Sequence, residues 1–103
     1  MKLLTAVLVL SASTLAAQTT NPFFAESTLP FHAPPFDKIH DADYQPAIEE
    51  GMKQHLAEIK AIANDTAAPT FANTIEAMEK SGRLLSRVQR VFGSMSQANT
   101  NPT

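Results

Sequence analysis

An all-α fold, in which an extended N-terminal arm leads into an antiparallel αα-hairpin, is predicted by three observations. Residues 41–63 and 71–98 each repeat apolar side chains every three or four positions, as a helix with one buried face does. Between them, Asn64-Asp65-Thr66-Ala67-Ala68-Pro69 supplies residues that end a helix and turn the chain. Ahead of them, residues 18–40 are punctuated by Pro22, Pro30, Pro34 and Pro35, each of which disfavours the helical region for its predecessor.

The first element, residues 1–17, reads as a targeting segment. Lys2 supplies the positive charge, Leu3–Leu10 a short apolar core, and the small residues to Ala17 a cleavage site, with Thr14-Leu15-Ala16 fitting the small-x-small rule. The apolar run falls well short of the roughly 20 residues needed to span a bilayer. The expectation is an exported, periplasmic protein with no membrane association once the leader is removed. The chain has no cysteine, so it forms no disulfide after export.

Residues 18–40 form the arm. It carries Phe23, Phe24, Leu29, Phe31, Phe36 and Ile39, more large apolar groups than a disordered linker holds. The arm is expected to lie across a larger body and bury those rings, each contributing about 1.5–3 kcal/mol if fully covered.

The first helix is expected over Asp41–Ala63, capped by Asp41 or Asp43, with Pro46 in its first turn. Tyr44, Ile48, Met52, Leu56, Ile59 and Ile62 make its apolar face; Glu49, Glu50, Lys53, Glu58 and Lys60 lie largely opposite. The second helix is expected to run unbroken over 71–98. Asn73 with Glu76 suggests a capping box, and Thr70 is an alternative cap. Glu76–Lys80 and Glu79–Arg83 are favourable i,i+4 pairs worth roughly 0.2–0.5 kcal/mol each. Leu84, Leu85, Val88, Val91, Phe92 and Met95 share one sector, while Arg83, Arg87 and Arg90 cluster on the other side. Gly82 is the weak point, costing about 1 kcal/mol relative to Ala. Asn101-Pro102 then resembles the start of a third helix.

The 103 residues carry a net charge of −2 and 44% hydrophobic residues. That is one domain or less, with no charge excess that points to nucleic acid. Two helices share one interface, yet each apolar face is too broad for one partner. Residues 41–103 are therefore expected to be the start of a larger helical body, with self-association as the alternative.

Chemistry is sparse. His32, His40 and His55 lack the His-Glu-x-x-His spacing and have no cysteine partner. Asp41/Asp43 read as capping acids, Glu49/Glu50 as a solvated face. Ser81, Ser86, Ser94 and Ser96 have no base at a recognisable spacing. Arg83, Arg87 and Arg90 form a basic stripe that is solvated or paired with neighbours, or that meets phosphate or carboxylate. Asn64-Asp65-Thr66 matches a glycosylation sequon, though a helix-ending Asn explains it equally well.

The spelling is more specific than these patterns. Asn21-Pro22-Phe23, Ser27-Thr28-Leu29-Pro30-Phe31, Ala33-Pro34-Pro35-Phe36-Asp37-Lys38-Ile39 and Tyr44-Gln45-Pro46-Ala47 occur in order. Gly51-Met52, Glu58-Ile59, Pro69-Thr70-Phe71, Asn73-Thr74-Ile75, Ser81-Gly82, Leu84-Leu85, Arg87-Val88 and Val91-Phe92 follow. Together these resemble the N-terminal region of the thimet-oligopeptidase-type zinc metallopeptidases, especially the bacterial peptidyl-dipeptidases. The resemblance implies an all-helical peptidase with a deep channel that removes dipeptides from the C-termini of short peptides. It implies one zinc, held by a His-Glu-x-x-His helix and a later glutamate, with the motif's own Glu as general base. The first helices would form channel wall against the rest of the peptidase chain. The zinc motif does not occur within these 103 residues. No catalytic, cofactor-binding or metal-binding residue carries over, and the segment alone is expected to be inactive. The alternative is a small exported helical interaction module without enzymatic activity.

Overall fold

The computed structural model describes residues 20–99. The leader at 1–17 and the helix start at Asn101-Pro102 lie outside the described residues. Within them the protein is all-helical: an arm with three single 3-10 turns, then helix α1 (Asp41–Ala63), a helical segment over 71–80, and helix α3 (Arg83–Ala98). The 71–80 segment comprises π-type turns at Phe71–Glu76 and helix α2 at Ala77–Lys80.

The turns in the arm follow its prolines. Pro22 and Pro30 each occupy the first turn of a 3-10 element, where a fixed φ helps and a missing N–H costs nothing. Phe36–Lys38 forms the third turn. The arm buries less than its composition predicts. Phe23 is 2% exposed and Ile39 packs against the core, but Phe24, Leu29 and Phe36 are about half exposed and Phe31 is fully exposed. The hairpin provides one ring-sized recess, and Phe23 fills it.

Helix α1 has the predicted bounds but a different cap. His40 is the N-cap and Asp43 sits three residues on. The Asp43 carboxylate accepts from the His40 backbone N–H at 2.8 Å, while the Asp43 N–H donates to the His40 carbonyl at 2.9 Å. Asp41 becomes the first helical residue, which moves Pro46 beyond the first turn and into the helix. The carbonyl that Pro46 cannot serve belongs to Ala42, an exposed residue that water can reach.

Helices α1 and α3 run antiparallel. Tyr44 near the head of α1 meets Phe92 toward the tail of α3, edge-on with ring centroids 5.3 Å apart. At the other end, Gly82 at the head of α3 donates its N–H to Glu58 toward the tail of α1. The contact between them is made by small residues. Ala47 is fully buried, and a Cβ on Gly51, one turn later, would lie 2.9 Å from the Leu85 Cα. Backbones that close leave no room for larger side chains. The buried line of α1 is therefore displaced from the predicted one: Met52 and Leu56 are 58% and 56% exposed. On α3 the predicted sector holds, with Leu84, Val88 and Val91 buried alongside Phe23 and Ala47.

The predicted continuous helix over 71–98 is broken at Ser81-Gly82. Thr70, not Asn73, is the N-cap: its hydroxyl accepts from the Asn73 N–H at 3.1 Å, and the Asn73 side chain accepts from the Thr70 N–H at 2.7 Å. Ser81 is extended and Gly82 adopts φ +68°, a left-handed conformation natural to glycine. Among the described residues no helix is long and apolar enough to cross a membrane.

Candidate functional site

The most built feature outside the helix contact is the junction of arm and α3. Asn21 starts it: its side-chain carbonyl accepts from the Phe23 N–H at 3.0 Å, and its amide donates to the Asp43 carbonyl at 2.8 Å. This ties the first 3-10 turn to the head of α1 and aims Phe23 between the helices, 5.5 Å from the Tyr44 ring. On the other side, one guanidinium nitrogen of Arg87 donates to the Phe23 carbonyl at 2.7 Å and the Ala25 carbonyl at 3.1 Å. Its other terminal nitrogen stands 3.7 Å from the Glu26 carboxylate. The hairpin thus holds an extended segment of its own chain by a buried ring and two captured carbonyls.

Between arm and α3 lies a groove of about 500 Å³, whose lining includes Arg83, Arg87, Arg90, His32, Glu26 and Glu79. The stripe of three arginines is thereby divided. Arg87 is spent on the arm, whereas Arg83 and Arg90 are exposed along the groove. A groove of about 640 Å³ opens at the other face, where Tyr44, Ile48, Phe92 and Met95 make an apolar wall between the head of α1 and the tail of α3.

The remaining candidates are dispersed. His32 pairs through Nδ1 with the Ser27 carbonyl at 3.0 Å, His40 starts α1, and the His55 ring packs beside Gly82. Ser81, Ser94 and Ser96 donate their hydroxyls to backbone carbonyls within or beside their own helical segments. Glu49 accepts from Gln45; Glu50 accepts from Gln54 and Lys53, and these hydrogen bonds hold its carboxyl below the usual range. Burial pushes the Tyr44 hydroxyl up, and the Asp41 and Asp43 charges add to that. Among the described residues no group of three His, Cys, Asp or Glu gathers to hold a metal ion. The arrangement can bind and shape; Asp43, Glu49, Glu50 and Glu58 accept hydrogen bonds that cap helices or pair neighbouring side chains.

Two features escaped sequence reasoning. Arg87 was legible as one of a basic stripe, but not as the partner of carbonyls more than 60 positions away. Glu58 was legible as a solvated charge, but not as the acceptor for Gly82, 24 positions on. The Ala47-x-x-x-Gly51 spacing was the available signal for the close helix contact.

No family model matches the chain. It is similar to the dipeptidyl carboxypeptidase of Salmonella typhimurium, 53% identical over 83 residues, which is 81% of this chain and 12% of that relative. It is 54% identical over 83 residues to the dipeptidyl carboxypeptidase of Escherichia coli, with the same shares covered. The chain thus matches about an eighth of the length of these curated relatives.

Proposed function

We propose that this chain, close in sequence to bacterial dipeptidyl carboxypeptidase, is part of an exported zinc peptidase that releases dipeptides from the C-termini of short peptides. The observation that carries this reading is the level of identity, 53% and 54% over 83 residues, or 81% of the chain. In it the arm and hairpin supply architecture and not chemistry: they form wall that narrows a peptide channel. The apolar side chains left open on α1 and in the 71–80 segment support that role, because they offer further helices a surface to pack against.

The described residues do not fit a zinc site, since no three potential ligands converge. The zinc and the residues that act on substrate are assigned to the remainder of the peptidase, and no step of the reaction is routed through this segment. In this reading the 103 residues alone are inert toward peptides. Export rests on the composition of residues 1–17.

One preparation tests the proposal. The complete polypeptide bearing this segment is purified from cells and given short peptides, and its products and its own N-terminal peptide are read by mass spectrometry. The expected outcome is C-terminal dipeptides, lost on chelation and restored by zinc, from a protein beginning near residue 18. Release of N-terminal fragments, or activity indifferent to chelation, would overturn the peptidase reading. A mature protein that retains Met1 would overturn export.

A further inference from the structure

We propose that Ser81-Gly82 is a joint with two settings, bent as in this structure and straight as one continuous helix over residues 71–98, with Glu58 as the residue that holds it bent. The Met78 carbonyl and the Gly82 N–H, which a continuous helix would pair with each other, each have another partner here. In a continuous helix the Gly82 N–H would donate to the Met78 carbonyl. Here the Met78 carbonyl instead accepts from the Ser81 N–H at 3.1 Å and the Ser81 hydroxyl at 2.7 Å, and the Gly82 N–H donates to Glu58 Oε2 at 2.6 Å. Gly82 has no side chain with which to cap α3, so the cap is provided by a carboxylate from α1, at the positive end of α3's dipole.

Two features make this setting specific to glycine at position 82. Its φ of +68° suits glycine, and a Cβ there would lie 3.1 Å from the His55 ring. Remove the Glu58 acceptor and the bent form keeps a helix head without its cap, whereas the straight form needs none at that point. The straight form is within reach of the connecting loop. Straightening would carry residue 71 about 9 Å past the end of α1 along the axis and about 9 Å across it. The eight peptide links from 63 to 71 can span about 26 Å.

The joint aims the 71–80 segment, whose Phe71, Ile75 and Met78 are all about half or more exposed. Changing its setting redirects that apolar row relative to the hairpin. This depends on the hairpin's geometry and is independent of whether the polypeptide hydrolyses peptides.

The two settings differ in which amides are protected. Arg83, Leu84 and Leu85 begin α3 and have no intrahelical acceptor in the bent form. In the straight form they donate to the carbonyls of Glu79, Lys80 and Ser81. Residue-resolved hydrogen exchange on the intact polypeptide therefore distinguishes straightening from mere loosening. Glu58→Ala and Gly82→Ala are each expected to slow exchange at residues 83–85 by at least about tenfold. Glu58→Gln, which keeps an acceptor oxygen, is expected to exchange as the wild type does. Exchange at 83–85 that is unchanged or faster in both alanine variants overturns the proposal, as does a general acceleration over 41–98.

Discussion

At the scale of single residues, Arg87 carries the most consequence. A guanidinium is a planar fork of donors, suited to serving neighbouring oxygens at once, and here it meets two carbonyls and a carboxylate of one short segment. Hydrogen bonds from a charged donor contribute about 1.5–3 kcal/mol when shielded, and this side chain is 28% exposed, so the lower end applies. Arg87→Ala is expected to lower unfolding stability by about 1–2 kcal/mol. It should also speed amide exchange at residues 23–27 more than within α1. Lysine cannot serve both carbonyls and the carboxylate in the same way and should restore only part of the loss. Denaturant titration with exchange mapping checks both.

Tyr44 gives a pH dependence. Its hydroxyl titrates above the ordinary 10.0 because burial, then the Asp41 and Asp43 charges, disfavour the phenolate. A raised folded-state pKa means the unfolded chain ionises first. The associated stability is fully present below pH 10 and is lost as pH rises through the folded value. Thermal unfolding scans between pH 9 and 11 should show a decline that Tyr44→Phe makes shallower.

At the scale of elements, the contact between α1 and α3 rests on absent side chains. Gly51 is mid-helix, where glycine costs about 1 kcal/mol relative to alanine, yet alanine would drive its Cβ to within 2.9 Å of the Leu85 backbone. Backbone cannot yield as a flexible side chain can, so overpacking outweighs the propensity gain. Gly51→Ala is expected to destabilise by about 1–3 kcal/mol, and a rise in midpoint on calorimetry would contradict the close contact. The 71–98 stretch shows the limit of periodicity. Its apolar spacing continues across Gly82 with a drift, and the i,i+4 pair Glu79–Arg83 spans the same point. A local reading therefore favours one helix. The break depends on a hydrogen bond from 24 residues away, and no local pattern encodes that.

At the scale of the whole molecule, arm, α1 and α3 share one small core of Phe23, Ala47, Leu84, Val88 and Val91. Around it Met52, Leu56, Phe71, Ile75, Met78 and Phe92 are each about half exposed or more. The expectation that each helix has more apolar surface than its partner covers agrees with these exposures. The expectation that the arm buries its rings holds for Phe23 and not for Phe24, Phe31 or Phe36, since the recess between two helices admits one ring. Phe31 and His32 both sit at positive φ, a conformation nothing in Pro30-Phe31-His32-Ala33 announces.

What the chain determined by itself was local and periodic. Apolar spacing placed α1 and the α3 sector, prolines and Asn64-Asp65 placed the arm and the turn, and the order of short motifs pointed to the peptidase relatives. Those signals are legible because helix formation and turn chemistry act over four or five residues. Tertiary structure alone decided where α2 ends and α3 begins, which face of α1 is buried, and that Arg87 belongs to the arm. Each of those depends on a group that becomes a neighbour only after the helices pack. A captured carbonyl and a cap supplied by another helix leave no trace in the spacing of residues along the sequence, and the small-residue spacing of Ala47 and Gly51 marks a close approach without saying which helix makes it.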